Sequence, residues 1–435
     1  MKEKVDQELK TGKQTAIINA RIFDGEKVID EETIVIEGEN IVAVGGEVPV
    51  CATIMDAKGA TLMPGLIDSH VHTDEDGLRH ALRFGVTTEL EMMGGYTKNG
   101  RERELKGIDD IADVRSAGMG VTPKDGHPDE LMGDGIPDFV LKEMEKMTEE
   151  EKAAYIAAFE EEQNQGFCIN TVQDAIKHVD EQVSQGADYI KILIEEGTVM
   201  NCPGLPVFSD DIYKAAVDEA HKLDKIVLAH VLTAESSKTA IDIGVDGLAH
   251  VFVDRPSWTA ELIKAIAESG AFVTPCLSLN SSIVGKIPSE FANDPRVISK
   301  LSEEWIETLN SSFNTFPQGT IEDSFNNVMD LHNAGVDILV GTDVSVPVPS
   351  LGGLAHGASV HHELQLLVEA GFTPIEALRA ATSVPARRFS LTDRGRIVAG
   401  ARADLLLVDG DPTTNISDTL SVKTVWSRGL QLATI

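Results

Sequence analysis

Positive charge is what this chain has least of. It carries 37 Lys and Arg against 71 Asp and Glu in 435 residues, a formal net charge of −34 at pH 7. A surface of that sign repels phosphate backbones, which excludes sequence-independent DNA or RNA binding as its default role. Cysteine is scarce as well: Cys51, Cys168, Cys202 and Cys276 stand singly, with no C-x-x-C pair. That usage excludes a disulfide framework and a structural zinc knuckle, and it points to a reducing compartment. No run of 18 apolar residues occurs, and the opening MKEKVDQELKTGK has no apolar h-region. The expectation is a cytoplasmic protein with no membrane partner. There is no G-x-S-x-G elbow, and the Gly-rich GGYTKNG and MGDGIP lack the strand-to-helix spacing of a phosphate-binding loop. Neither a serine nucleophile nor a nucleotide site is expected.

What is present is an ordinary globular composition, 42% hydrophobic and 25% charged, with material for a large core. Both ends are β-rich: AIINARIF, TIVIEG, NIVAVGG and ATIMDA within residues 16–60, and GRIVAGARADLLLVDGD and VKTVWSRGLQL near the other terminus. Between them short apolar runs alternate with amphipathic helical ones, the pattern of parallel βαβ units. Eight such runs can be counted: 65–72, 86–93, 118–123, 187–194, 225–231, 247–252, 271–279 and 337–343. They predict an α/β chain whose residues 64–391 form a (β/α)8 TIM barrel, with residues 1–63 and 392–435 making a small composite β-sandwich. DIYKAAVDEAHKL, AESSKTAIDIG, TAELIKAIAESG and FNNVMDLHNAG are the helices expected before the last four strands. Two connections, 124–186 and 280–336, are longer than a barrel needs and are expected to shape a rim. The first contains EMEKMTEEEKAAYIAAFEEEQ, read as a solvated helix face.

The chemistry sits at the strand ends. In GLIDSHVH, His70 and His72 are two residues apart, so both side chains leave the same face of the strand, about 7 Å apart. That suits two ligands of one metal. Lys191 in ADYIKILI, His230 in KIVLAHV, His250 in GLAHVF and Asp343 in DILVGTD lie at corresponding places in later units, at the mouth where barrel enzymes work. A lysine between two isoleucines is costly to bury as an ammonium. One reading has it leave through the mouth or pair with Glu195 or Glu196; the other has carbon dioxide convert it to an anionic carbamate. Met92, Met93 and Cys276 read as core packing. His127, His356 and Arg255 are placed to touch a substrate. A loop-stabilising role is the alternative for His127, and pairing with Asp254 is the alternative for Arg255. His361 and His362 are expected on the last barrel helix.

The H-x-H of GLIDSHVH, the lysine of YIKI, the single histidines ending the fifth and sixth strands and the TD of VGTD together resemble the amidohydrolase superfamily of metal-dependent hydrolases. The resemblance covers nearly the whole chain and is nearest to the imidazolonepropionase-related branch. It implies two divalent metal ions, zinc being the expected identity. His70, His72 and Asp343 would hold one ion and His230 and His250 the other, with an N6-carboxylated Lys191 and a hydroxide bridging them. Asp343 would also act as the catalytic proton carrier. The implied reaction is hydrolysis of an amide-type C–N bond (amide, carbamate, urea or cyclic amide) of a small molecule. Alternatives on the same site are an esterase or lactonase, an Xaa-dipeptidase or a mononuclear deaminase, with a non-enzymatic scaffold disfavoured because all six ligands stand. AHVLT lacks the second histidine of dipeptidase-like relatives, and Glu235 lies five residues after His230 where deaminases have H-x-x-E. A small-molecule substrate is the expected partner, and homo-oligomerisation is left open.

Overall fold

The computed structural model describes residues 14–132, 147–149, 152–153 and 169–432. Most of the acidic run 143–163, and Cys168, lie outside the described residues. In the first third of the chain, Leu66–Val71 pairs in parallel with Val86–Glu91, and that strand with Asp113–Ser116. A second parallel sheet runs Ile190–Leu193, Val227–His230, Gly247–Ala249, Phe272–Thr274. Single parallel bridges, Val121 with Ile192, Val273 with Ile338 and Val71 with Val344, link the edges of the two sheets. Helices alternate with the strands, and four of them occupy the expected runs as Asp210–Lys222, Ala234–Ile243, Thr259–Ser269 and Ile321–Asn333. The architecture is a TIM barrel joined to a β-rich unit. Its parallel strands are buried on both faces, which is why Val227–His230 and Ile190–Leu193 read as unbroken apolar runs around one polar residue each.

Three strands differ from the sequence reading. The third is Asp113–Ser116, not 118–123. Its polar residues carry ion pairs: Asp113 meets Arg115, Arg394 and Arg402, which hides it from a search for apolar runs. The seventh stops at Thr274, because Pro275 has no N–H to extend the ladder, and Leu277–Ile283 is helical instead. The eighth run, 337–343, forms bridges and hydrogen bonds without a regular strand. Gly341 explains part of this: a Cβ there would sit 3.0 Å from the His70 nitrogen and 2.3 Å from the Thr274 Cγ2, so only glycine lets this segment lie so close to its neighbours.

The β-rich unit is built from both ends of the chain. Its six-stranded sheet places Leu405–Val408 antiparallel to Thr61–Pro64, with Arg21–Phe23 on the far side of the latter. A four-stranded sheet of earlier residues, including Gln14–Ile18 and Ile34–Glu37, accompanies it. Ile17, Ile22, Ile36, Leu62, Leu405, Leu407 and Trp426 share one apolar core. Among the described residues no helix is long and apolar enough to cross a membrane.

His361, on helix Ala358–Ala370, ties the barrel to the C-terminal segment. Its Nε2 donates to the Phe84 carbonyl (2.8 Å) and its Nδ1 lies 2.9 Å from the Thr419 hydroxyl. Burial holds this imidazole neutral, pulling it down to about 3. A histidine whose folded pKa is depressed stabilises the fold above the unfolded pKa of about 6.5, and that stabilisation is lost as pH falls towards the folded value. His361→Gln is therefore expected to be less stable than wild type at pH 7, with the deficit shrinking by about 2 kcal/mol at pH 5. Urea unfolding of both proteins at the two pH values measures it. An unchanged deficit would show that His361 is not the group titrating.

Candidate metal centre

Four strands and the irregular eighth segment deliver the polar residues to one place. His70 Nε2 and His72 Nε2 lie 2.9 and 3.2 Å from the same oxygen of Asp343. His250 Nε2 is 3.8 Å from the other Asp343 oxygen and 3.1 Å from His230 Nδ1. Lys191 Nζ is 3.5 Å from His70 Nε2. The structure thus brings together His70, His72, Lys191, His230, His250 and Asp343. Two of them sit at strained backbone positions, His250 at φ 78° and Asp343 at φ 61°, where a side chain other than glycine is disfavoured. The strain turns each side chain back into the mouth at the point where its strand ends.

Burial sets the charges. Desolvation lowers His70 to about 3, with Lys191 adding to the effect, and it carries His230 and His250 well below the ordinary histidine value. Lys191, 3% exposed, is lowered by burial to about 8. Desolvation works against the charge of Asp343, but the neighbouring His70 and His250 hold its carboxyl well below the usual carboxylate range. Neither acidic neighbour neutralises Lys191. Glu195 accepts the Gly197 N–H (2.7 Å) and Glu196 binds Thr198.

Neutral imidazoles carry lone pairs, and here those of buried His70 and His250 converge on the half-buried carboxylate of Asp343. His72 Nδ1 donates to the Met93 carbonyl (3.2 Å), which turns its Nε2 towards Asp343. His230 Nε2 lies 3.5 Å from a Glu195 oxygen, while His70 Nδ1 and His250 Nδ1, on the far side of each ring from Asp343, are buried without a hydrogen-bond partner. The donor set, imidazole and carboxylate with an amine beside them, fits a divalent cation. His70, His72 and Asp343 offer atoms that all lie within 4.8 Å of one another.

A second layer of polar residues holds the ligands. Asp68 accepts the N–H of His70 (3.2 Å), the N–H of Thr342 (3.1 Å) and the Thr342 hydroxyl (2.6 Å), so it fixes the residue before Asp343 to the strand that carries His70. Glu89, fully buried on the second strand, lies 3.1 Å from His356 Nδ1, whose Nε2 donates to the Ser345 carbonyl. His356 is thus buried inside this layer. Arg255 is held by Asn327 and by Asp330 at 2.7 Å, not by Asp254. His127 does adjoin the cluster: its ring lies on that of His230 (centroids 4.3 Å apart) and its Nδ1 is 2.6 Å from Glu130.

Asp68, Glu89, Glu130 and Cys276 were not legible as site residues. Asp68 had a signal, since Asp68, His70 and His72 alternate along one strand face. Cys276 is buried as expected, but its sulfur lies within 4.8 Å of ligand atoms of His70 and His250.

A model of the amidohydrolase family matches residues 130–432, well over half of the chain. The chain belongs to the amidohydrolase family. This amidohydrolase is 29% identical over 274 residues to ochratoxinase of Aspergillus niger, across 60% of this chain and 50% of that one. It thus spans about half the length of the curated relatives it matches first. Its fold is similar to that of a Xaa-Pro dipeptidase with methionine bound in the active site (TM-score 0.72, 23% identity, 96% of this chain and 99% of that one). It is equally similar to phenylurea hydrolase B (TM-score 0.72, 21% identity, 96% of each chain). The family match begins after His70 and His72, so in this amidohydrolase their membership of the cluster rests on geometry.

Removing the clamp under the cluster should be costly. Asp68→Ala leaves two buried N–H groups and a hydroxyl without their acceptor, and is expected to lower stability by about 3 kcal/mol. Asp68→Asn, which keeps one acceptor oxygen, should lose less. Chemical denaturation of the three proteins tests the order, and equal stability of Asp68→Ala and wild type would refute the clamp.

Proposed function

We propose that this chain is a metal-dependent hydrolase that cleaves an amide-type C–N bond (amide, carbamate, urea or cyclic amide) of a small molecule. The observation that carries this reading is the convergence of four imidazoles, Lys191 and Asp343 in the mouth of a parallel barrel. The two parallel sheets and their linking bridges are read as one closed eight-stranded ring, residues 64–391, with 1–63 and 392–435 as the composite β-sandwich. Exposed Cys51 and Cys202 support a reducing, cytoplasmic setting.

His70, His72 and Asp343 would hold one divalent ion, zinc being the favoured identity, and His230 and His250 a second. Lys191, carboxylated by carbon dioxide, would lie between them. Such ions supply Lewis acidity, lowering the pKa of a water and polarising a carbonyl. The chain's own residues do the rest. Asp343, with one oxygen between His70 and His72 and the other towards His250, takes the proton of the attacking water and returns it to the departing nitrogen. His127, fixed at Nδ1 by Glu130, presents its remaining nitrogen to the substrate carbonyl oxygen. Glu235 is exposed on the helix Ala234–Ile243, which counts against the deaminase reading.

A hydrolysis screen on metal-replete protein tests the proposal, spanning N-acyl amino acids, dipeptides, anilides, phenylureas, cyclic amides and lactones. Release of a carboxylate and an amine from one of the amide classes is expected. Lys191→Ala should lower that activity more than about 100-fold, with partial recovery on adding short carboxylic acids. Absence of bound metal, or full activity after replacing both His70 and His72, would end this reading. Ammonia release without a carboxylate product would instead support deamination.

A further inference from the structure

The seventh barrel strand ends at Thr274, Pro275 blocks its extension, and Cys276 then turns into the left-handed region at φ 52°. The turn is clamped from behind. Both oxygens of Glu363, fully buried on helix Ala358–Ala370, accept the next two N–H groups, Leu277 at 2.8 Å and Ser278 at 2.7 Å. The Ser278 hydroxyl donates to the same carboxylate at 3.0 Å. So held, the Cys276 sulfur lies with ligand atoms of His70 and His250 in a group mutually within 4.8 Å. Donor atoms that close can serve one ion or two adjacent ions, given metal–nitrogen bonds of about 2.0–2.1 Å and metal–sulfur bonds of about 2.3 Å. The thiol's hydrogen-bond partner is the Thr274 carbonyl at 3.6 Å, a weak contact that a thiolate does not use.

We propose that Cys276 is a thiolate ligand of the metal ion that His70 holds, positioned by Glu363. The inference rests on the metal-centre reading above. His70 belongs to both groups of converging atoms, one with His72 and Asp343 and one with His250 and Cys276. The other group already places His70 with His72 and Asp343, so we assign the sulfur to that ion and His250 to its neighbour. Binding breaks the S–H bond, forms a sulfur–metal bond and releases the proton to solvent. A soft sulfur among imidazole and carboxylate donors biases the site towards zinc, cobalt or cadmium and away from magnesium and manganese.

X-ray absorption of the zinc-loaded wild-type protein is the direct test, with the metal content measured on the same sample. A sulfur shell at about 2.3 Å beside the nitrogen and oxygen neighbours is expected. The cobalt-loaded protein should show a thiolate-to-cobalt charge-transfer band. That band should persist in the triple variant Cys51→Ser, Cys168→Ser, Cys202→Ser and vanish in Cys276→Ser. Fully loaded wild type with only nitrogen and oxygen neighbours would overturn the assignment of Cys276 and leave the metal centre standing. Loss of the band in the triple variant at full cobalt content would overturn it too. A protein that takes up no metal would overturn both readings. Should Cys276→Ser not fold, the wild-type spectrum and the triple variant still decide.

Discussion

One carboxylate organises this molecule's mouth. Asp343 places a single oxygen 2.9 Å from His70 and 3.2 Å from His72 and turns its other oxygen towards His250. It therefore joins the first and sixth strands through the last segment of the barrel. The arrangement is expensive in isolation, because a half-buried carboxylate and buried imidazoles all lose hydration. It persists because each partner is held by its own backbone: Asp343 N–H and Thr342 N–H both donate to the His70 carbonyl, and His250 N–H donates to the Thr274 carbonyl. Much of the remaining architecture can be read as holding that carboxylate in place.

The support is layered. Asp68 grips Thr342 and the His70 backbone from below, and the Glu89–His356 pair lies buried near it. Burial raises the Asp68 carboxyl well above its ordinary value, with nearby Glu89 adding to the effect. Burial works against the charge of His356, but Glu89 outweighs it and raises that imidazole. A dry polar layer of this kind is stable only when its members are paired, and its pairing then restricts the ligands above it to one geometry. Left-handed backbone at His250, Cys276 and Asp343 belongs to the same design. Each marks a strand or segment end where a side chain must point back into the mouth instead of following the chain outwards.

Periodicity and composition made much of this readable beforehand. Apolar runs buried on both faces announced most of the barrel strands, and polar residues interrupting those runs near their ends, His70, Lys191 and His230, announced the cluster. What escaped were residues whose surroundings are set by distant parts of the chain. Asp113–Ser116 was missed because its polar residues are satisfied by Arg394 and Arg402, nearly 300 residues away. The first turn of the helix Leu277–Ile283, within the run 271–279, was read as strand because its apolar residues match either period over so short a run. His356 and Arg255 were expected near substrate, and their partners, Glu89 and Asp330, come from other elements.

The scarcity of positive charge and of paired cysteine, together with the run of strand ends bearing histidine, lysine and aspartate, belongs to the sequence alone. These follow from residue type and spacing, which local geometry obeys. The distances among those residues, the isolation of Lys191 from Glu195 and Glu196, and the arrival of Cys276 beside His70 and His250 were decided by the tertiary structure. A barrel brings together strand ends separated by up to 273 residues, and no local pattern encodes which of two inward-facing side chains will meet across it.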